Sequence, residues 1–412
     1  MRAGILICSF ATFAAAFGEG QMTPDLKSSY EAHRWTDLND RLQKVNGLPL
    51  YRAAIGVTFN QDPQGSERLL LSVISAAPHS PEAYEASEWL SHLYFYRGQY
   101  RSLVSIMEKR WAAFPPKKEN SQEQTVIGGF RGLPNQILES AGPSKLKHEA
   151  GSIFIPLSID RNSATYFFDT GAWISCMSES EAKRLGLNIR NTSGTLGQSA
   201  GSHVGFQTAV AQDVVVGNTH FKNVSFAIVP DNQEPWSDLP PGRRGIIGIP
   251  ILVGLQTLRW ENADAIQLAE PSAPFNIQKS NLTFDNDHLV VTAVLQNQKI
   301  AATVDTGAIS TDLYKPFAEK FETLLKQYGQ KDSTEVRGVG HAERFESVTL
   351  PELRIRVGEQ DTVLSPAHVL LKSIGANCCV GNFAMDLFKQ AAALKIDFGA
   401  MTLQLLTTDK MH

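Results

Sequence analysis

The feature that most limits what this chain can fold into is a short motif that occurs twice: Asp169-Thr170-Gly171-Ala172-Trp173-Ile174-Ser175 and Asp305-Thr306-Gly307-Ala308-Ile309-Ser310-Thr311. Each copy follows an apolar, β-rich run, Ala164-Thr165-Tyr166-Phe167-Phe168 in the first and Ile300-Ala301-Ala302-Thr303-Val304 in the second. Each Asp therefore falls where a strand ends in a turn. One Asp-Thr-Gly is an ordinary strand-ending turn; two in matched surroundings imply a duplicated unit. The downstream sequence extends the repeat. Ile246-Ile247-Gly248 comes seventy-nine residues after Asp169 and Cys379-Val380-Gly381 seventy-six after Asp305, each an apolar pair closed by glycine.

Asp-Thr-Gly followed at this distance by two apolar residues and Gly resembles the aspartic peptidases. The Ala after each Gly, with the Arg184-Leu185-Gly186-Leu187 segment, is most similar to the retropepsin-like branch. The resemblance spans residues 150–406 in two halves. It implies a mainly β chain with two retropepsin- or pepsin-like β-barrel lobes, residues 151–270 and 281–408, joined by a linker over 271–280. It also implies an aspartic endopeptidase with Asp169 and Asp305 as its catalytic dyad. Thr170 and Thr306 would join the two motif loops through buried hydroxyls. Gly171 and Gly307 let backbone amides approach the carboxylates where a Cβ would obstruct them. Flaps are expected about thirty residues past each Asp: Gly194 to Gly205, with Gly197, Ser199 and Gly201, and Arg337 to His341, with Gly338, Gly340 and His341.

The chemistry follows from two carboxylates brought together. Within about 3 Å both cannot ionise, so the pair shares one proton and acts as acid and base at once, with no metal or cofactor. Ala172 and Ala308 stand where pepsin-like enzymes carry Ser or Thr, whose hydroxyl stabilises the carboxylate charge. Each Asp is therefore expected to lack one donor, raising both titrations and setting an optimum at about pH 4.5 to 6.5.

The rest of the chain narrows the setting. A formal net charge of -4 and a pI near 6.2, without a basic block, give no electrostatic case for nucleic acid. Arg2, the apolar run from Ile5 to Phe17 and small residues near Gly18 read as a signal peptide over 1–18, making the protein exported, periplasmic or extracellular. No other stretch reaches the length of a membrane span. Cys176, Cys378 and Cys379 make no disulfide framework and no metal spacing, and are expected to be buried free thiols.

Residues 25–115 carry helical periodicity, with Ser80-Pro81-Glu82 as a capped helix start. A thirty-three-residue offset superposes Gly65, Arg68, Leu70 and Leu71 on Gly98, Arg101, Leu103 and Val104, which resembles tetratricopeptide repeats. So few repeats bury their apolar faces poorly alone, so this module is expected to pack on the C-terminal halves, as a scaffold or as a platform for a protein partner. Residues 116–150, polar and punctuated by Gly128-Gly129 and Gly142-Pro143, read as a linker. The partner implied by the catalytic reading is a polypeptide substrate, cleaved by a monomer whose lobes pair within one chain. The alternative is a non-catalytic peptide-binding or scaffold protein that works through the helical module.

Overall fold

The structure, a computed structural model, describes residues 23–116, 122–197, 203–233, 235–286, 288–338, 341–372, 374 and 378–408. The expected signal peptide, 1–18, lies outside them. The N-terminal part is helical: Pro24–Glu31, Trp35–Leu42, Pro49–Thr58, Pro63–Ala76, Pro81–Tyr96 and Tyr100–Ala113. Ser80 caps the fifth of these, its Oγ accepting from the Ala83 amide at 3.1 Å. The thirty-three-residue offset does not superpose equivalent places. Gly65 lies inside the helix Pro63–Ala76, whereas Gly98, at φ +64°, makes the left-handed turn ahead of Tyr100–Ala113.

Two halves of β structure follow, related by a constant offset. The hydrogen bonds between Thr170 and Thr306 span 136 residues, and the same shift carries strand Asn162–Phe168 onto Gln298–Val304, Gly245–Ile247 onto Gly381–Phe383, and Thr257–Glu261 onto Ala393–Asp397. The hairpin turns match as well. Asp160 and Arg161 (φ 45° and 70°) and Gln296 and Asn297 (φ 48° and 62°) are successive left-handed residues, the twist a two-residue hairpin needs. In each half the strand that ends at the Asp pairs in parallel with a short strand from far downstream, Phe168 beside Ile247 and Val304 beside Phe383.

Among the described residues, a third, five-stranded sheet joins the halves in the order Ser144–Lys147, Ala265–Leu268, Thr257–Glu261, Ala393–Asp397, Thr402–Leu406. Its central pairing runs from Thr257 opposite Asp397 to Glu261 opposite Ala393, so the two halves share a continuous hydrogen-bonded ladder. The connection over 271–280 is fastened to this sheet where Asp397 accepts from the Ala273 amide at 3.1 Å.

Two expectations need correction. The stretch 116–150 is not merely a linker. It contains the helix Gln122–Phe130 and the strands Ile137–Ser140 and Ser144–Lys147, which extend the first-half and shared sheets. Gly128-Gly129 reads as a breaker, yet it lies inside the helix because the helix crosses a strand at backbone distance. A Cβ on Gly129 would sit 3.2 Å from the Gly194 Cα and 2.6 Å from the Phe206 ring. Likewise Cys378 and Cys379 are bonded to each other as a vicinal disulfide, while Cys176 is the buried free thiol.

The helical module packs on both halves, as its small size requires. The Phe95 ring stacks on Trp173 at 6.0 Å, and Tyr96 stacks on Phe284 at 4.2 Å while also meeting Trp173 at 5.3 Å. Asn60 and Gln61 donate to the Phe398 and Gly399 carbonyls at 3.0 and 2.7 Å. Trp173 belongs to the first Asp-Thr-Gly loop, so the module buttresses that loop from behind.

Candidate active site

Each motif Asp is held at the end of its strand by its own amide, which donates across the parallel pairing: Asp169 to the Ile247 carbonyl and Asp305 to the Phe383 carbonyl, both at 2.9 Å. The loops then lock onto each other. The Thr170 amide donates to Thr306 Oγ1 and the Thr306 amide to Thr170 Oγ1, both at 3.1 Å. The hydroxyls donate onward, Thr170 to the Val304 carbonyl at 2.8 Å and Thr306 to the Phe168 carbonyl at 3.1 Å. Both threonines are buried, so every bond in this four-membered lock is shielded from water.

The lock brings the two carboxyl groups together, each lying against the glycine of the other's motif. The glycines make this approach possible. A Cβ on Gly307 would lie 2.3 Å from an Asp169 carboxyl oxygen, and one on Gly171 would lie 2.9 Å from the Asp305 carboxyl carbon. Burial, and then the neighbouring Asp305 charge, hold the Asp169 carboxyl well above the usual range.

The pair is not symmetric. Asp305 Oδ1 accepts from the Gly307 and Ala308 amides at 3.0 Å each, and Oδ2 accepts from Asn382 Nδ2 at 3.0 Å. Asn382 is itself oriented by Thr303, whose Oγ1 donates to its Oδ1 at 2.6 Å. Asp169 has backbone donors in Gly171, at 2.7 Å, and Ala172. At Asn382's place the first half has Ile246, with no donor to offer. The expectation that both carboxylates lack an outer donor therefore holds for one only: an amide replaces at Asp305 the hydroxyl that Ala308 cannot supply.

Asn382 is absent from the sequence reading because the second-half turn is misplaced there. Gly248 donates its amide to Ser175 Oγ at 3.0 Å, and the residue that makes the equivalent bond, to Thr311 Oγ1 at 2.9 Å, is Ala384. Gly248 and Ala384 each lie seventy-nine residues past their Asp. The counterpart of Ile246-Ile247-Gly248 is thus Asn382-Phe383-Ala384, and Cys379-Val380-Gly381, three residues earlier, only mimics it. The constant 136-residue offset is the signal that would have found it.

Of the flap residues, Gly197 ends the strand Arg190–Gly197 and pairs with His203, and Gly338 pairs with His341 at the tip side of the hairpin Gln330–Gly338 with His341–Leu350. Ser199, Gly201 and Gly340 lie outside the described residues. Glu139, Asp213 and His220 form a group with metal-ligand spacing, but Lys222 Nζ is already 2.8 Å from Asp213 and 3.5 Å from Glu139.

No curated protein matches the chain. Among solved structures it is similar to a retropepsin-like aspartic protease from Rickettsia conorii, at 15% identity over 31% of this chain and 93% of that one, TM-score 0.22. It is also similar to the retroviral protease-like domain of Ddi1 from Leishmania major, at 14% identity over 29% of this chain and 87% of that one, TM-score 0.20. Residues 155–258, which carry the first Asp-Thr-Gly and its Ile246-Ile247-Gly248 turn, match the family model described as "gag-polyprotein putative aspartyl protease".

Proposed function

We propose that the protein is an aspartic endopeptidase in which two retropepsin-like lobes of one chain close on each other and hydrolyse peptide bonds through an Asp169/Asp305 dyad. The observation that carries this reading is the reciprocal Thr170–Thr306 lock, which presents two carboxyl groups to each other with glycine clearance on both sides. The family match over residues 155–258 supports the same chemistry.

The asymmetry of donors assigns the roles. Asp305, with three donors, carries the charge and takes a proton from a water, whose oxygen attacks the peptide carbonyl carbon. Asp169 holds the proton and delivers it to the carbonyl oxygen, giving a neutral tetrahedral diol. Asp305, now protonated, passes its proton to the departing nitrogen as the C–N bond breaks. Asp169 recovers its proton from the diol, and the pair returns to its starting state. The two hairpins, with Gly197, Ser199, Gly201, Gly338, Gly340 and His341, would cover an extended substrate by strand addition. In this reading the protein is exported, acts as a monomer, and uses residues 25–115 as a scaffold for the lobes.

The test is digestion of a diverse peptide library by wild type, Asp169→Asn and Asp305→Asn. Wild type cleaves, and each variant loses roughly a thousandfold or more, the size of a general acid-base contribution. If either variant retains more than a few per cent of activity, the shared dyad is wrong. The alternative, a non-catalytic scaffold, predicts no cleavage by any of the three. It gives no reason for a half-buried carboxyl pair that opposes its own ionisation.

A further inference from the structure

The pseudo-symmetry makes the two walls of the cleft comparable residue by residue. In the first half Cys176 lies opposite Ile246 in an antiparallel pairing and beside Ala227 in a parallel one. In the second half Asp312 lies opposite Asn382 and beside His368 in the same two pairings. Residues in register across a ladder put their side chains on one face. That face is the one carrying the dyad, because Asn382 reaches Asp305 from it and because the Cys176 thiol is raised by burial and then by the charge of Asp169. So at three matched positions the first wall is Cys, Ile and Ala, all buried, and the second is Asp, Asn and His, all half-buried.

Two of the three polar residues are already engaged, Asn382 by Thr303 and Asp305, and His368 by Thr349 through Nδ1 at 3.3 Å. Asp312 is not. Among the described residues its carboxylate makes no hydrogen bond and no ion pair. Burial, and then the nearby Asp386 charge, push it up to about 7. An ionisable group held this way without a cation is one that an incoming cation would stabilise.

Resting on the peptidase reading, we propose that Asp312 is a specificity-determining residue. It receives a lysine or arginine side chain of the substrate, close to the scissile bond on the second-lobe side, whereas the buried Cys176, Ile246 and Ala227 positions of the first half offer no charge to pair with. A nearly symmetric frame would thereby read a peptide in one direction.

The experiment uses the full chain and peptides that differ only by Lys, norleucine or Glu at each of the four positions flanking the cleaved bond, with kcat/KM measured at pH 7. At one position wild type prefers Lys, and Asp312→Asn lowers the Lys-to-norleucine ratio about 10- to 100-fold, the worth of a charge-assisted hydrogen bond. Asp312→Lys shifts the preference at that position to Glu. Equal ratios in wild type and Asp312→Asn at all four positions would overturn the proposal. Binding of the same peptides with a reduced, non-cleavable amide separates the two readings. If nothing is cleaved but Lys peptides still bind wild type at least tenfold tighter than Asp312→Asn, the peptidase reading fails and recognition by Asp312 stands. Equal binding refutes recognition by itself.

Discussion

Replacing Asn382 by isoleucine, the residue its counterpart Ile246 already is, removes the one side-chain amide that donates to the dyad among the described residues and leaves the backbone donors in place. The dyad then holds its single charge less readily, so the acid limb of the kcat/KM profile moves to higher pH, by about one unit for one hydrogen bond. Ala172→Ser adds a hydroxyl on the other side and moves the limb down. An unmoved limb in Asn382→Ile would show that the amide does not tune the pair. Stability carries the same signature. Because the folded state holds the Asp169 proton more tightly than the unfolded chain does, stability falls as pH rises from the unfolded value, about 4, through the raised folded one. Asp169→Asn removes the titrating group, so its urea midpoint should decline less than that of wild type between pH 4 and pH 7. A parallel decline would contradict the raised Asp169. The paired Asp-Thr-Gly motifs were readable from sequence because their chemistry needs those residue types in that order. Asn382 was not, because any residue that keeps the strand can occupy its position.

At the level of elements, the motif loops are rigid because each threonine satisfies the other's backbone amide in a buried place. Thr170→Val removes the acceptor for the Thr306 amide and the donor to the Val304 carbonyl, leaving both buried and unpaired. Chemical unfolding should report a loss of about 1 to 3 kcal/mol for such a group, and a loss below about 0.5 kcal/mol would show that the lock is ornamental. Turns and caps were legible wherever a local rule sufficed. Ser178 caps the helix Glu179–Arg184, as its position before Glu179 and Glu181 suggests, and Gly186 closes it at φ +72°. Local rules failed where a distant contact decided. Gly128-Gly129 is helical because Gly194 and Phe206 lie against it.

Over the whole molecule, the helical module, the shared sheet and the dyad form one mechanical unit. Tyr96 is 2% exposed, stacked on Phe284 and against Trp173, with its hydroxyl bonded to the Asn286 carbonyl. Tyr96→Ala should therefore cost about 3 to 5 kcal/mol and lower kcat with it, since the wall behind the first motif loop is lost. A change below about 1 kcal/mol would mean that the module merely rests on the lobes. The shared sheet makes a further demand: because Thr257–Glu261 and Ala393–Asp397 pair within one chain, each molecule should complete its own dyad. The most direct measurement of that claim is peptide cleavage by an equimolar mixture of Asp169→Asn and Asp305→Asn protein beside wild type. Wild type should cleave while the mixture stays as inactive as either variant alone, since no molecule then holds two carboxylates. Recovery of activity on mixing, up to a fraction of the wild-type rate, would mean that the lobes pair between chains.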